Sequence, residues 1–314
     1  MDNSLTVQLY TPQQQHVWDA FVTASANGTF LFLRDYMDYH ADRFEDCSLI
    51  VCKGDKPVAM LPANRTGSLL DSHGGLTYGG FIIGKETTTT CILEIFEATT
   101  AYLHKCGITQ WIYKCVPYIY QRYPHAGDSY ALYRLGAERI ACNLSTTIEL
   151  SCRPRFAELR RRGIKRATKA GISIDESADY AAFWTILNNN LQDKYRTKPV
   201  HTLEEIELLH ARFPQQIKLY TARSNQDVAA GCVVYDTGIT AHAQYISASP
   251  EGKSSGALDL LFAHLIETVY ASRRYFDFGI STENNGNYLN HGLLSQKEGF
   301  GGRGVTYDIY RINL

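Results

Sequence analysis

The sequence predicts an α/β (α+β) protein built from two tandem domains, each a mixed twisted sheet flanked by helices. Three observations carry this. The chain has 314 residues, roughly twice the length of an ordinary domain. Strand-like and helix-like segments alternate along it. The order β-hairpin, strand, loop, long helix, strand, short helix, strand occurs twice, about 165 residues apart. The boundary is expected near Ser151, giving domains of residues 1–150 and 151–314.

In the first half, the spacing predicts a strand over 7–10 and a helix over 13–24, with Val17, Trp18, Phe21 and Val22 on one face. Strands at 48–53 and 57–64 are joined by Gly54-Asp55-Lys56, a hairpin turn. The glycine-rich stretch 73–80 leads into a short strand at 81–83. Ile92, Ile95, Phe96 and Thr99 recur at helical spacing inside 90–106. Strands at 111–116 and 139–150 complete the half. In the second half, helices are expected at 156–171, 180–191 and 203–213. A second hairpin, 217–222 with 228–235, turns through Ser224-Asn225-Gln226-Asp227. A strand at 240–247, a loop, a helix at 257–272, a short strand at 275–278, a helix at 287–298 and a strand at 305–312 follow. Ala131–Ala137 in the first half answers Leu293–Phe300 in the second.

Composition removes several classes. Lys+Arg 31 against Asp+Glu 32 gives a net charge of -1, which argues against a nucleic-acid coat or a basic membrane-surface protein. Met1-Asp2-Asn3-Ser4 has no basic n-region or following apolar run, and no stretch approaches 18 apolar residues. No membrane span and a cytoplasmic location are therefore expected. The eight cysteines are scattered with no C-x-x-C pair, and the ten histidines show no H-E-x-x-H. They read as reduced thiols and ordinary imidazoles, so no metal is expected.

Four stretches invite chemistry. Ser249-Pro250-Glu251-Gly252-Lys253-Ser254-Ser255-Gly256-Ala257 follows a strand and opens a helix. A loop there leaves the N–H groups of Gly252, Lys253, Ser254, Ser255 and Gly256 free at a helix N-terminus, which favours a phosphate. The alternative is a capped helix, with Ser254 or Ser255 as the cap. The first-half counterpart, Gly84-Lys85-Glu86-Thr87, carries a glutamate that would repel a pyrophosphate. The segment 71–80 holds four glycines, with His73 and Tyr78 as hydrogen-bonding tips. It is either a ligand site or a tight structural turn. Eight Lys or Arg fall between Arg153 and Lys169, with Arg161, Lys165 and Lys169 along one helical side. That side is either a solvated face or a surface for a phosphate-bearing partner. The 21 tyrosines, several between Tyr113 and Tyr133, lean toward a carbohydrate acceptor.

Lys253-Ser254-Ser255-Gly256-Ala257-Leu258 resembles the Q/R-x-x-G-x-G/A pattern with which GNAT acyltransferases hold the pyrophosphate of acyl-coenzyme A. It keeps the middle glycine and lacks both ends. Asp277-Phe278-Gly279 followed by Lys297-Glu298-Gly299-Phe300-Gly301 resembles the end of FemAB-like chains, and 161–171 resembles the basic helix opening their second domain. The resemblance spans nearly the whole chain through element order, but only these stretches through residues.

It implies a degenerate first GNAT-like domain that helps build the acceptor site, and a second domain holding acyl-coenzyme A on Gly252, Lys253, Ser254, Ser255 and Gly256. His73, Tyr78, Asp277 and Lys297 are the expected acceptor-binding residues. Many GNAT enzymes place a tyrosine four residues before the Gly-Phe pair to protonate the leaving thiolate. Here that position is Ser295, so His291, one turn earlier, is the expected proton donor; the alternative is a histidine at a helix cap beside Asn290. The implied reaction is transfer of an acyl group from acyl-coenzyme A (acetyl-CoA) to an amine acceptor, with an amino-sugar nucleotide preferred. It proceeds by direct attack, in keeping with the absence of G-x-S-x-G. Two alternatives stand. One is a FemAB-like aminoacyltransferase using aminoacyl-tRNA on a cell-wall peptide. The other is a catalytically silent double-GNAT binding protein.

Overall fold

Tight turns set the two hairpins. The computed structural model describes residues 4–314, apart from the side chain of Tyr195. Met1, Asp2 and Asn3, part of the segment read for a leader, lie outside the described residues. Strands β1 (Leu5–Leu9), β2 (Leu49–Lys53) and β3 (Lys56–Leu61) are antiparallel neighbours. The turn between β2 and β3 is Gly54-Asp55, where Gly54 takes a φ of 60° that only glycine adopts freely.

The chain forms two units. The first takes residues up to Asn143 with 283–288 and 306–314; the second takes 144–282 and 289–305. A single cut near Ser151 differs from this, because the strand over 138–149 runs on without a linker.

In the first unit, β4 (Ile82–Ile83) completes a four-stranded sheet in the order β1-β2-β3-β4. Helix α1 (Gln15–Ala24) buries Trp18 and Val22. Helix α2 (Thr89–Lys105) starts at Thr88, whose hydroxyl accepts the Cys91 N–H. It buries Ile92, Ile95, Phe96, Thr99 and Leu103, the face its spacing predicts. Trp111 and Tyr113 of β5 (Gln110–Lys114) join that core. Helix α3 (Gly127–Arg134) adds Ala131 and Leu132.

Strand β6 (Glu138–Glu149) passes its last residues to the second unit. There α4 (Glu158–Lys169) buries Gly163 and Ala167 and exposes Arg161, Lys165 and Lys169. Strand β7 (Ser173–Ser177) is absent from the sequence expectation, since its polar residues carry no apolar alternation. Helices α5 (Tyr180–Tyr195) and α6 (Leu203–Arg212) follow, the latter behind a Thr202/Glu205 capping box. Strands β8 (Ile217–Ser224), β9 (Asp227–Asp236), β10 (Thr240–Ala248) and β11 (Tyr275–Ile280) build the sheet in the order β7-β8-β9-β10-β11-β6. All neighbours are antiparallel except β10 and β11. Helices α7 (Pro250–Ser255) and α8 (Ala257–His264) lie between those two strands in sequence. Helix α9 (His291–Glu298) and strand β12 (Arg303–Asn313) end the chain, and Ile309–Asn313 pair with β5 in the first unit.

All eight cysteines are unpaired. Among the described residues no group of three His, Cys, Asp or Glu could hold a metal, and no helix is long and apolar enough to cross a membrane.

Candidate active site

Parallel strands joined by a helical crossover part at one end, and here the parting opens a cavity. Strands β10 and β11 pair through Thr240/Tyr275, Ala241/Phe276 and His242/Asp277, where the ladder ends. Just beyond His242 the β9–β10 register shifts, so Gln244 becomes an extra residue, a bulge that re-aims the side chains after it. Ile246, Ser247 and Ala248 on β10 and Phe278 on β11 then line a cavity of about 640 Å³, within the usual range of small-molecule sites. Leu187 and Leu191 of α5, Leu258 and Phe262 of α8, Leu293 of α9 and Phe300 make its walls mostly apolar. Lys194, Lys253 and Lys297 also line it.

Asp277 stands where the strands part, with no exposed surface. It accepts hydrogen bonds from Ser145 Oγ at 2.5 Å, Thr147 Oγ1 at 2.7 Å and His242 Nδ1 at 2.7 Å. Burial pushes its carboxyl pKa up, but His242 and the two hydroxyls outweigh that and hold it at about 2. Lys297 is 4% exposed. Its Nζ donates to the carbonyls of Gly279 and Ile280, each at 2.8 Å. Burial pulls its pKa down to about 8, with Asp277 opposing. An ammonium has three donors, so one remains for whatever enters the cavity. Lys253 Nζ donates to Asn190 Oδ1 at 2.6 Å, and both residues line the cavity.

The 252–256 segment is not a loop. Ser249 caps α7, its hydroxyl accepting the Gly252 N–H at 3.1 Å, and Pro250 takes the first helical position. The Lys253 N–H is bonded to Ser249 O and the Gly256 N–H to Gly252 O. The hydroxyls of Ser254 and Ser255 donate back to Glu251 O and Gly252 O. The phosphate cradle expected of free N–H groups is thus closed at Gly252, Lys253 and Gly256 by ordinary helix bonding. Of the five residues only Lys253 lines the cavity.

His291 and Ser295 are exposed and outside the cavity, which α9 faces with Leu293, Gln296 and Lys297. Counting back from Gly299-Phe300 finds the right helix but not its rotation. At 3.6 residues per turn, Ser295 points roughly opposite Lys297. The cap of α9 is Asn290, whose side chain accepts the Leu293 N–H.

His73 and Tyr78 lie in the first unit and are buried. The Tyr78 hydroxyl meets Thr29 Oγ1 at 3.0 Å and its ring packs on Phe32 and Tyr120. His73 lies against His40 and Phe44, and burial pulls its pKa down to about 3. Lys114 Nζ gathers the carbonyls of His73, Gly74 and Leu76. A Cβ at Gly75 would lie 2.3 Å from His40 Nε2, so the glycines admit packed rings. Both side chains are thus packed inside the first unit, and neither lines the cavity beside Phe278 and Lys297.

Of the expected acceptor residues Asp277 and Lys297, Lys297 lines the cavity and Asp277 does not, though the Asp277 carboxylate acts electrostatically on the Lys297 ammonium. His242 was not among the expected residues. It is a lone histidine in a strand, 35 residues from Asp277, and only the parallel pairing joins the two.

Residues 155–288 match the family model of the acetyltransferase (GNAT) domain. Among solved structures, the chain is similar to FemX at 11% identity, over 98% of this chain and 97% of that one, with a TM-score of 0.69. It is similar to L-PGS from Bacillus licheniformis at 13% identity, over 96% and 92%, with a TM-score of 0.63. It is also similar to a tandem GNAT protein from the clavulanic acid biosynthesis pathway at 13% identity, over 99% and 98%, with a TM-score of 0.53. No curated protein matches the sequence. At these identities the likenesses establish the fold, two GNAT-like halves in tandem.

Proposed function

We propose that this chain, which carries a GNAT acyltransferase domain at residues 155–288, is a FemAB-like double-GNAT N-acyltransferase. It moves an acyl group from acyl-coenzyme A to an amine by direct attack. The observation that carries the proposal is the cavity where β10 and β11 part, lined by the buried ammonium of Lys297.

The apolar walls suit an acyl chain and a thiol-bearing arm, while Lys194 and Lys253 suit the phosphates of the same donor. In the reaction the amine nitrogen bonds the carbonyl carbon and the carbon–sulfur bond breaks. Negative charge passes through the carbonyl oxygen to the departing sulfur. The remaining Lys297 donor offers either atom a charge-assisted hydrogen bond from a group that is itself buried. The acceptor is an amine, with an amino-sugar nucleotide preferred.

Calorimetric titration with acetyl-coenzyme A tests the donor. Binding is expected, and Lys253→Ala should weaken it about tenfold, the cost of a lost phosphate contact. A second reading, FemAB-like aminoacyl transfer from tRNA, draws on the exposed Arg161, Lys165 and Lys169 of α4. Binding of charged tRNA without acetyl-coenzyme A binding would favour it, and binding of neither would favour a silent double-GNAT protein.

A further inference from the structure

We infer that the donor's acyl group is a fatty acyl chain longer than acetyl, seated against Leu258 and Leu293. The inference rests on the transfer from acyl-coenzyme A proposed above. Phe262, Phe278 and Phe300 line the cavity as one packed cluster, with ring centroids 5.0 to 5.6 Å apart. All three are buried in the core of the second unit, so this wall is fixed. Leu191, Ile246, Leu258 and Leu293 line the same cavity from α5, β10, α8 and α9 and are only half-buried. Four branched side chains on four elements thus leave apolar surface uncovered in one recess.

The polar lining does not compete for that surface. Asn190 Nδ2 donates to Ser247 Oγ at 2.7 Å and to Ala248 O at 2.8 Å, while its Oδ1 accepts from Lys253. Both donors of the amide are therefore taken within the protein. Only the thiol-bearing end of the coenzyme A arm is apolar; its amides would be buried unpaired against phenylalanine and leucine. An alkyl chain brings no polar atom, and it leaves water as it covers the leucines. An acetyl methyl is too small to reach side chains on four elements.

Helical spacing ties two of the four to the rest of the site. Leu293 precedes Lys297 by four residues on α9, so the two share a face about 5.4 Å apart along the helix. A thioester that meets the remaining donor of Lys297 therefore has Leu293 one turn away. Leu258 stands in the same relation to Phe262 on α8, at the edge of the phenylalanine wall. A chain that leaves the thioester carbon runs over these residues.

Calorimetric titration with coenzyme A and its acetyl, butyryl, hexanoyl and octanoyl thioesters tests this. Affinity should rise with chain length, by about fourfold for each methylene the wall covers, until the recess is full. Leu258→Trp and Leu293→Trp each narrow the recess and should cut the octanoyl-to-acetyl affinity ratio about tenfold. The ratio is taken within one preparation, so loss of folded protein cancels. Affinity that stays flat or falls from acetyl to octanoyl would overturn the fatty chain and leave the acyl-coenzyme A reading standing. A rising series that neither variant alters would seat the chain elsewhere and overturn the inference. Binding of none of the five compounds overturns the acyl-coenzyme A reading and the fatty chain with it.

Discussion

Lys297 is an ammonium almost out of contact with water, and such a group persists where its charge is used or its bonds are complete. Two carbonyls take two of its three donors. Lys297→Met removes those bonds and also the cost of burying the charge, so stability below about pH 8 should not fall. Turnover should fall about 10²-fold, as when an oxyanion donor is removed. Denaturant melts and thiol release check the two halves, and lost stability with full turnover would make Lys297 a clip for Gly279 and Ile280. In the parent enzyme, turnover should also decline as pH rises through about 8, where this ammonium loses its proton. His291→Ala and Ser295→Ala, on the exposed side of α9, should change neither rate nor stability beyond about 0.5 kcal/mol. A clear rate loss in either would return the proton transfer to that face.

At the scale of elements, the close approach of α4 to the α7–α8 junction explains Gly256, and the backbone of Ala229 on β9 lies against Gly252. Gly256 turns the chain between two helices at a φ of 82°, and a Cβ there would lie 2.5 Å from Gly163 O. A Cβ at Gly163 would meet Asp259 Oδ2 at 1.8 Å, and Asp259 is bonded to Arg160 at 2.6 Å. Gly256→Ala should cost about 2 kcal/mol or more, from both the left-handed backbone and the contact. Chemical denaturation without ligand checks this. Unchanged stability with weakened donor binding would instead restore a direct role in holding phosphate.

Across the whole molecule, Asp277 and Lys297, two of the buried charged residues of the second unit, shape how stability follows pH. Asp277 has its pKa held at about 2 against an ordinary 3.8. Its contribution is complete above the ordinary value and is lost as pH falls through the folded one. Lys297 has a folded pKa of about 8 against an ordinary 10.5. Between those values the unfolded chain binds more protons, so this group makes stability rise with pH there, and its cost is full below about 8. Lys297→Met should flatten the alkaline side of a stability–pH curve, and Asp277→Asn the acid side. Denaturant melts across pH check both, and unchanged slopes would show that the two groups are not held as their contacts indicate.

Local pattern determined the two hairpins, the amphipathic face of α2 and the tandem element order, because turn chemistry and apolar periodicity act over a few residues. Lys297, which lines the cavity, was legible as a candidate from a short stretch beside neighbouring glycines. The polar edge strand β7 carried no such period and was missed. The rotation of α9, which turns Lys297 inward and His291 and Ser295 outward, depends on what the helix packs against. The helical state of Pro250–Ser255 hung on Ser249, a cap just outside the glycine pattern. The pairing of His242 with Asp277 arises only when β10 and β11 lie side by side in parallel. No spacing rule joins residues so far apart, and the tertiary structure alone decided that contact.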